Sequence, residues 1–328
     1  AAATATGAAR SDHTHQQPQD VAAMHDCLTT QLPAWVHHGP QHLAHQMWEA
    51  SQGKTDKVGN PVNRNDRHSH QYQLLYWPYL SKLVTRHTCG HHLLQPERQP
   101  QKQEPLRLLE IGLGCNPQRV GVGGSALAWH SLLMESPASQ DDPRNVELYI
   151  LEYDEGCARA WEQENPGVVT QLLTGDASSP AELRRAMEQI SNPRFDVIID
   201  DGSHINNHQI TTMQFFLNKT TSDDEGYLKP GGLYVIEDIE SSCYDWPANV
   251  GQAQRGPGTG GSRDCLTQKK SKTIPAEHPD EPTILGVLVE YQKQLLQWKR
   301  GKAPFQGSIT HIDIHWGGAV LEKRLPGF

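Results

Sequence analysis

Two short apolar runs, Phe195–Ile199 and Leu233–Ile236, rise out of polar surroundings, and each is closed by a pair of acids. Asp200 and Asp201 follow the first; Glu237 and Asp238 follow the second. Runs of this length, rich in Val and Ile on both faces, predict buried parallel strands, with Asn206–Leu217 as the helical crossover between them. Upstream, Leu106–Gly114 (LRLLEIGLG) reads as a strand running into Gly112-x-Gly114, Ser125–Met134 as a helix capped by Ser125, and Val146–Glu152 as a second strand ending in acid. Val168–Ile190 reads as strand, turn and helix, the helix opening near Pro180 under a Ser178 or Ser179 cap. Downstream, Thr283–Trp298 has helical spacing, and Ser308–Arg324 forms two alternating runs about Gly317-Gly318, a terminal hairpin.

Before this domain the pattern is weaker. Residues Ala1–Asp20 lack apolar periodicity and predict a disordered arm. Val21–Ala50 predicts two short helices broken at Pro33 and Gly39-Pro40. In His68–Leu83 the residues Tyr72, Leu75, Tyr76, Tyr79, Leu80 and Leu83 recur at helical spacing, with Tyr76 and Leu80 read as core, and Cys89–Glu104 reads as a surface linker. The expected organisation is therefore an arm over 1–20, a helical extension and linker over 21–104, and one domain over 105–328. Within that domain 248–282 is too long for an ordinary loop and is expected to be a lid or substrate wall. The fold class is α/β: a Rossmann-like, mostly parallel sheet with an antiparallel C-terminal hairpin and a small N-terminal helical extension.

Composition narrows the function. A formal charge of −9 over 328 residues argues against a nucleic-acid surface, which needs a dense basic face. No apolar run approaches the ~20 residues of a membrane span. The opening AAATATGAARSD reads as the trimmed start of a longer precursor, so a secretory-pathway lumen such as the Golgi, or secretion, is expected if a targeting segment was removed, and the cytoplasm otherwise. The 6 cysteines are too scattered for a disulfide scaffold or a CxxC zinc site, although Cys243 and Cys265 flank a Gly-rich loop and could pair. Asn218-Lys219-Thr220 is a glycosylation sequon.

The chemistry lies at the strand ends. In an open α/β sheet ligands bind beyond the carboxyl ends of the strands, so the two acid pairs and His204 are expected in one place. Crowded anions repel unless a cation or protons share the site, which predicts a hard metal ion. Asp200, one position before Asp201, points to the opposite side and braces the structure or reaches a cofactor. His208 lies one helical turn after His204, but without a glutamate inside the pair zinc is disfavoured. After Gly112 and Gly114 a dinucleotide fingerprint would need glycine at 117, where Pro117 stands. The pattern suits a cofactor without phosphates, with Glu110 facing an ammonium or sulfonium group. Glu152 is the candidate for ribose hydroxyls, with Asp154 as reserve or helix cap, and Asp176 sits where a side chain could meet an adenine amino group.

This order of units, with E-x-G-x-G on strand one, resembles the class I S-adenosylmethionine-dependent methyltransferases. Thr55–Lys57 (TDK), the pattern His70, Tyr72, Tyr76, then LLEIGLG, GGSALAW, FDVIIDDGSH, LKPGGLYVIEDIESS and SITHIDIHWGGAVLEKR resemble the metal-dependent sugar O-methyltransferases of macrolide biosynthesis, of the mycinamicin and macrocin type. The resemblance covers roughly Gly53–Arg324. It implies Mg²⁺ held by Asp201, Glu237 and Asp238, and His204 as general base. It also implies S-adenosylmethionine bound by Glu110, Gly112, Gly114, Glu152, Asp176 and Asp200 with Thr55, Lys57 and Tyr72, and association into an oligomer through N-terminal segments. The acceptor is expected to be a hydroxyl of a sugar, glycoside or glycan, walled by Tyr244, Trp246 and Trp316. A catechol-like diol, or a methyltransferase fold kept only for binding a partner, are the alternatives.

Overall fold

The structure is a computed structural model that describes residues 18–59, 70–94, 104–115, 121–134, 146–218, 226–243, 282–296, 308–315 and 317–325. The expectations for the arm before residue 18, the lid over 248–281, the Cys243–Cys265 pairing and the walls Tyr244, Trp246 and Trp316 fall outside it.

Seven strands form one sheet in the order β3-β2-β1-β4-β5-β7-β6. They are β1 (Leu106–Ile111), β2 (Val146–Glu152), β3 (Gln171–Thr174), β4 (Phe195–Asp200), β5 (Leu228–Glu237), β6 (Ile309–His315) and β7 (Gly318–Lys323). The first five are parallel, β7 runs antiparallel to β5, and β6 and β7 make the predicted hairpin. The chain leaves β1 first toward β2 and β3, then returns to β4 and β5. The crevice between the carboxyl ends of β1 and β4 is therefore the topological switch point, where such sheets take ligands.

Strand alternation divides the core. Leu106, Leu108, Val197, Ile199, Leu233 and Val235 face a cluster built with Trp35, Leu43, Met47, Tyr76 and Trp129. Leu109, Ile111, Ile198, Tyr234 and Ile236 face the opposite cluster with Leu183, Met213, Phe216 and Leu288. The helices α1 (Pro18–Thr30), α2 (Ala34–His38), α3 (Pro40–Ala50), α4 (Gln73–Leu94), α5 (Gly124–Met134) and α6 (Glu155–Glu164) contribute residues to the first layer. The helices α7 (Pro180–Met187), α8 (Asn206–Leu217) and α9 (Ile284–Leu296) cover the other face. The N-terminal helices thus share one apolar core with the sheet.

Several local expectations change. Pro33 and Gly39-Pro40 divide the N-terminal stretch into three helices, because Pro40 opens α3 at its first position instead of ending the run. Helix α4 continues through Pro78 to Leu94, six residues into the expected linker, with Leu75, Tyr76, Leu80, Leu83 and Val84 buried along it. Ser125 does not cap α5; its hydroxyl donates to Glu110 at 2.9 Å. Ser179 caps α7 and Asp154 caps α6.

The cysteines also depart from expectation. Cys27 bonds to Cys89 and Cys115 to Cys157. Partners 62 and 42 residues apart in sequence are brought together by α1 packing on α4 and by the β1 loop passing the start of α6. Spacing alone carries no sign of such contacts.

Candidate active site

The site grows from strand parity. Glu110 on β1, Asp201 after β4 and Glu237 on β5 lie on the sheet face that carries the N-terminal helical layer, while Asp200 points to the other face. Asp200 is 2 % exposed and accepts from the Tyr234 hydroxyl at 3.2 Å; burial pushes its carboxyl up to about 6. It braces the end of β4.

Gly112 makes the junction possible. It has φ of 101°, and any side chain there would collide with the carbonyl oxygen of Asp201. The close approach is held by the Asp201 N–H donating to Ile111 O at 3.0 Å. A second gap at Gly124 admits the backbone of Lys54 and Thr55. Through it the TDK segment passes over the start of α5 and delivers Lys57 into the sheet face.

Lys57 is 1 % exposed. Its ammonium lies 2.8 Å from Asp201 Oδ2, 2.8 and 2.7 Å from the two Glu237 oxygens and 3.1 Å from Glu110 Oε1. Burial pulls the ammonium toward losing its proton, and Asp201, Glu237 and Glu110 together outweigh that and hold it well above the usual lysine range. Burial in turn raises the carboxyls of Glu110 and Asp201, and that of Glu237 to about 7, against the opposing pull of Lys57. Tyr76 donates its hydroxyl to Glu237, so this core tyrosine has a polar end in the site.

Beyond the β5 end, Asp238 turns away from Glu237. Its φ is 54°, and His204 likewise has φ of 56°. Both are left-handed conformations that cost a side-chain-bearing residue about 1–3 kcal/mol. The turn brings Asp238 Oδ2 to 3.2 Å from His204 Nε2, which lies 3.8 Å from Asp201 Oδ1. One donor atom each from Asp201, His204 and Asp238 lies within 4.8 Å of the others. The Tyr72 hydroxyl donates to Asp238 Oδ1 at 2.8 Å, and His70 stacks on Tyr72 with its Nε2 3.3 Å from Asp238.

The carboxylates that meet on one side of His204 are therefore Asp201 and Asp238. Glu237, expected as a third metal ligand, lies on the sheet face of Lys57 and accepts it on both oxygens. Of the residues expected at the cofactor, Lys57 pairs with Glu110 and Tyr72 donates to Asp238, all buried, and Thr55 is buried with its hydroxyl accepting from Lys57 N. Gly112 and Gly114 lie at the switch-point crevice. Glu152 ends β2 beside it, with one oxygen accepting from Leu113 N and the other from Asp154 N. Asp176 holds Ser178 through one oxygen. Tyr153, next to Glu152, is 75 % exposed, an aromatic side chain that periodicity did not single out. His70 was visible only as part of the His70, Tyr72, Tyr76 pattern.

No protein-family model matches the chain. Among solved structures, MycE methyltransferase from the mycinamycin biosynthetic pathway, in complex with Mg and SAH, superposes with a TM-score of 0.50 at 22 % identity, over 85 % of this chain and 54 % of that one. The chain has the fold of the class I methyltransferases. Its sequence is also 30 % identical over 225 residues to 8-demethyl-8-alpha-L-rhamnosyl tetracenomycin-C 2'-O-methyltransferase of Streptomyces olivaceus, covering 69 % of this chain and 47 % of that protein. It is 28 % identical over 181 residues to mycinamicin VI 2''-O-methyltransferase of Micromonospora griseorubida, covering 55 % and 38 %. The resemblance to sugar O-methyltransferases is thus supported by sequence and by fold, and the methyltransferase-like chain spans less than half the length of these curated relatives.

Proposed function

We propose that this chain is an S-adenosylmethionine- and Mg²⁺-dependent O-methyltransferase acting on a sugar hydroxyl, free or within a glycoside or glycan. The observation that carries the reading is the convergence of Asp201, His204 and Asp238 beside the Gly112–Gly114 crevice. Two carboxylate oxygens with an imidazole nitrogen at the rim suit a hard divalent ion that keeps its other positions for water or substrate oxygens. Asp201 and Asp238 would hold Mg²⁺, which when bound lowers the pKa of a coordinated hydroxyl. The relatives named above carry sugar substrates in their names, which supports the acceptor class.

The chain's own groups do the rest. His204 Nε2 takes the hydroxyl proton, and the imidazolium that forms faces Asp238 at 3.2 Å and Asp201 at 3.8 Å. Tyr72 fixes Asp238 through both its backbone N–H and its side chain, so the acceptor stays oriented toward the methyl group. Gly112 and Gly114 leave room for the cofactor at the switch point. Glu152 faces its ribose, Asp176 its adenine amino group, and Tyr153 offers the base an aromatic surface. The two disulfides support residence in an oxidising compartment, such as a secretory-pathway lumen.

Isothermal titration with S-adenosylmethionine, with Mg²⁺ and with EDTA, tests the assignment. Binding of about micromolar strength, consistent with ordinary cofactor affinities, is expected in both buffers. Asp201→Ala should abolish methyl transfer while leaving that affinity within about threefold, less than ~1 kcal/mol. A near-normal rate in Asp201→Ala contradicts the site, and absence of cofactor binding leaves only a partner-binding role for the fold.

A further inference from the structure

The N-terminal helices carry a second group of ligating side chains, separate from the acids at the strand ends. Helix α3 turns Leu43, Ala44 and Met47 into the core. Its other side presents His42, His45 and Glu49, three and then four residues apart and so neighbours on one helix face. His38, the last residue of α2, joins them across the turn at Gly39, whose φ is 89°. The His38 and His42 rings lie 5.1 Å apart, tilted by 54°, and His45 Nε2 is 3.2 Å from Glu49 Oε1. His38, His45 and Glu49 are exposed and His42 is half-buried. Burial first, then the neighbouring His38 and His45, pull His42 below the usual histidine range against the opposing pull of Glu49. Its ring is therefore held in the neutral form, the one that binds metal.

We propose that His38 and His42 chelate one borderline divalent ion of the zinc, nickel or copper type on the outer face of the N-terminal helices, with Glu49 supplying negative charge beside it. Two imidazoles four residues apart and in ring contact can turn their nitrogens to one ion, and such nitrogens prefer these metals to Mg²⁺. The carboxylate oxygens at the strand ends suit hard ions instead, so the two sites differ in the class of metal they take. The inference does not depend on the methyltransferase reading. Because one ligand ends α2 and the other lies in the first turn of α3, the ion would also clamp the corner at Gly39. Binding to the folded chain alone then raises its stability by mass action.

The test uses Zn²⁺ and Cu²⁺ on the full chain, stripped of metal and kept in excess Mg²⁺ so that hard-ion sites stay filled. By isothermal titration with Zn²⁺, His38→Gln/His42→Gln should bind one ion fewer than the unaltered chain. Each single variant should weaken that ion about tenfold or more, since a chelate needs both ligands. Electron paramagnetic resonance of bound Cu²⁺ should show a signal coupled to two imidazole nitrogens that the double variant lacks. Zn²⁺ should raise the melting temperature of the unaltered chain by more than that of the double variant. Equal stoichiometry in the two chains overturns the proposal, as does a loss that follows one histidine alone. If the double variant does not fold, the single variants and the Cu²⁺ spectrum carry the test, and loss of affinity in only one of them, or a one-nitrogen spectrum in the unaltered chain, overturns the chelate.

Discussion

His204 and Asp238 hold their side chains toward each other only because both backbones enter the left-handed region. Glycine adopts that region without the steric cost that alanine meets. His204→Gly should therefore be more stable than His204→Ala by about 1 kcal/mol, with both inactive. Equal melting temperatures for the two would show that the backbone at 204 is unstrained. A second residue-scale expectation concerns Asp200, whose buried carboxyl holds its proton up to about 6. The unfolded chain ionises this group near pH 4, so between about pH 4 and 6 the native state binds more protons and stability falls as pH rises. The contribution amounts to about 3 kcal/mol across that window. Asp200→Asn should flatten the metal-free stability curve there, measured by urea unfolding at several pH values; an unchanged slope would assign the proton elsewhere. At this scale the sequence was only half legible. The rule that neighbours in a strand face opposite ways separated Asp200 from Asp201. The left-handed turn at Asp238 has no signature in the sequence such as a glycine would supply.

Element by element, strands were the most readable. Short apolar runs, β1 entering Gly112-x-Gly114 and the others ending in acid, gave β1, β2, β4 and the core of β5, and the hairpin of β6 and β7 followed from alternation about Gly317-Gly318. The reason is that a doubly covered strand has no polar face to blur its boundaries. Helix ends were harder, since α4 passes through Pro78 and continues along a polar His/Gln stretch held by tertiary contacts and by the Cys27–Cys89 bond. The Cys115–Cys157 bond ties the loop immediately after Gly114 to the first turn of α6, whose cap is Asp154. It therefore couples the two elements that frame the proposed cofactor crevice. By loop-entropy reasoning a crosslink spanning this length stabilises by about 4 kcal/mol at most. Cys115→Ser/Cys157→Ser should lower the melting temperature and weaken S-adenosylhomocysteine binding about tenfold, roughly 1.4 kcal/mol. Melting that shifts while cofactor affinity does not would confine the bond to a structural role.

For the molecule as a whole, the N-terminal helices share the core and the acid cluster of the sheet. They supply the layer over one sheet face; α4 carries Tyr76, and the segments before it deliver Lys57, His70 and Tyr72 to the acids at the ends of β4 and β5. Removing residues 18–94 would expose that apolar face and leave Glu110, Asp201 and Glu237 without their cation, which predicts an insoluble fragment instead of a smaller enzyme. Among the described residues no helix is long and apolar enough to cross a membrane. The most direct measurement is transfer of a labelled methyl group from S-adenosylmethionine to a panel of rhamnosides and other glycosides, run with EDTA and again after Mg²⁺ is restored. Label should appear on a sugar hydroxyl, vanish with EDTA and return with Mg²⁺; transfer that persists undiminished in EDTA would contradict a divalent ion held by Asp201 and Asp238.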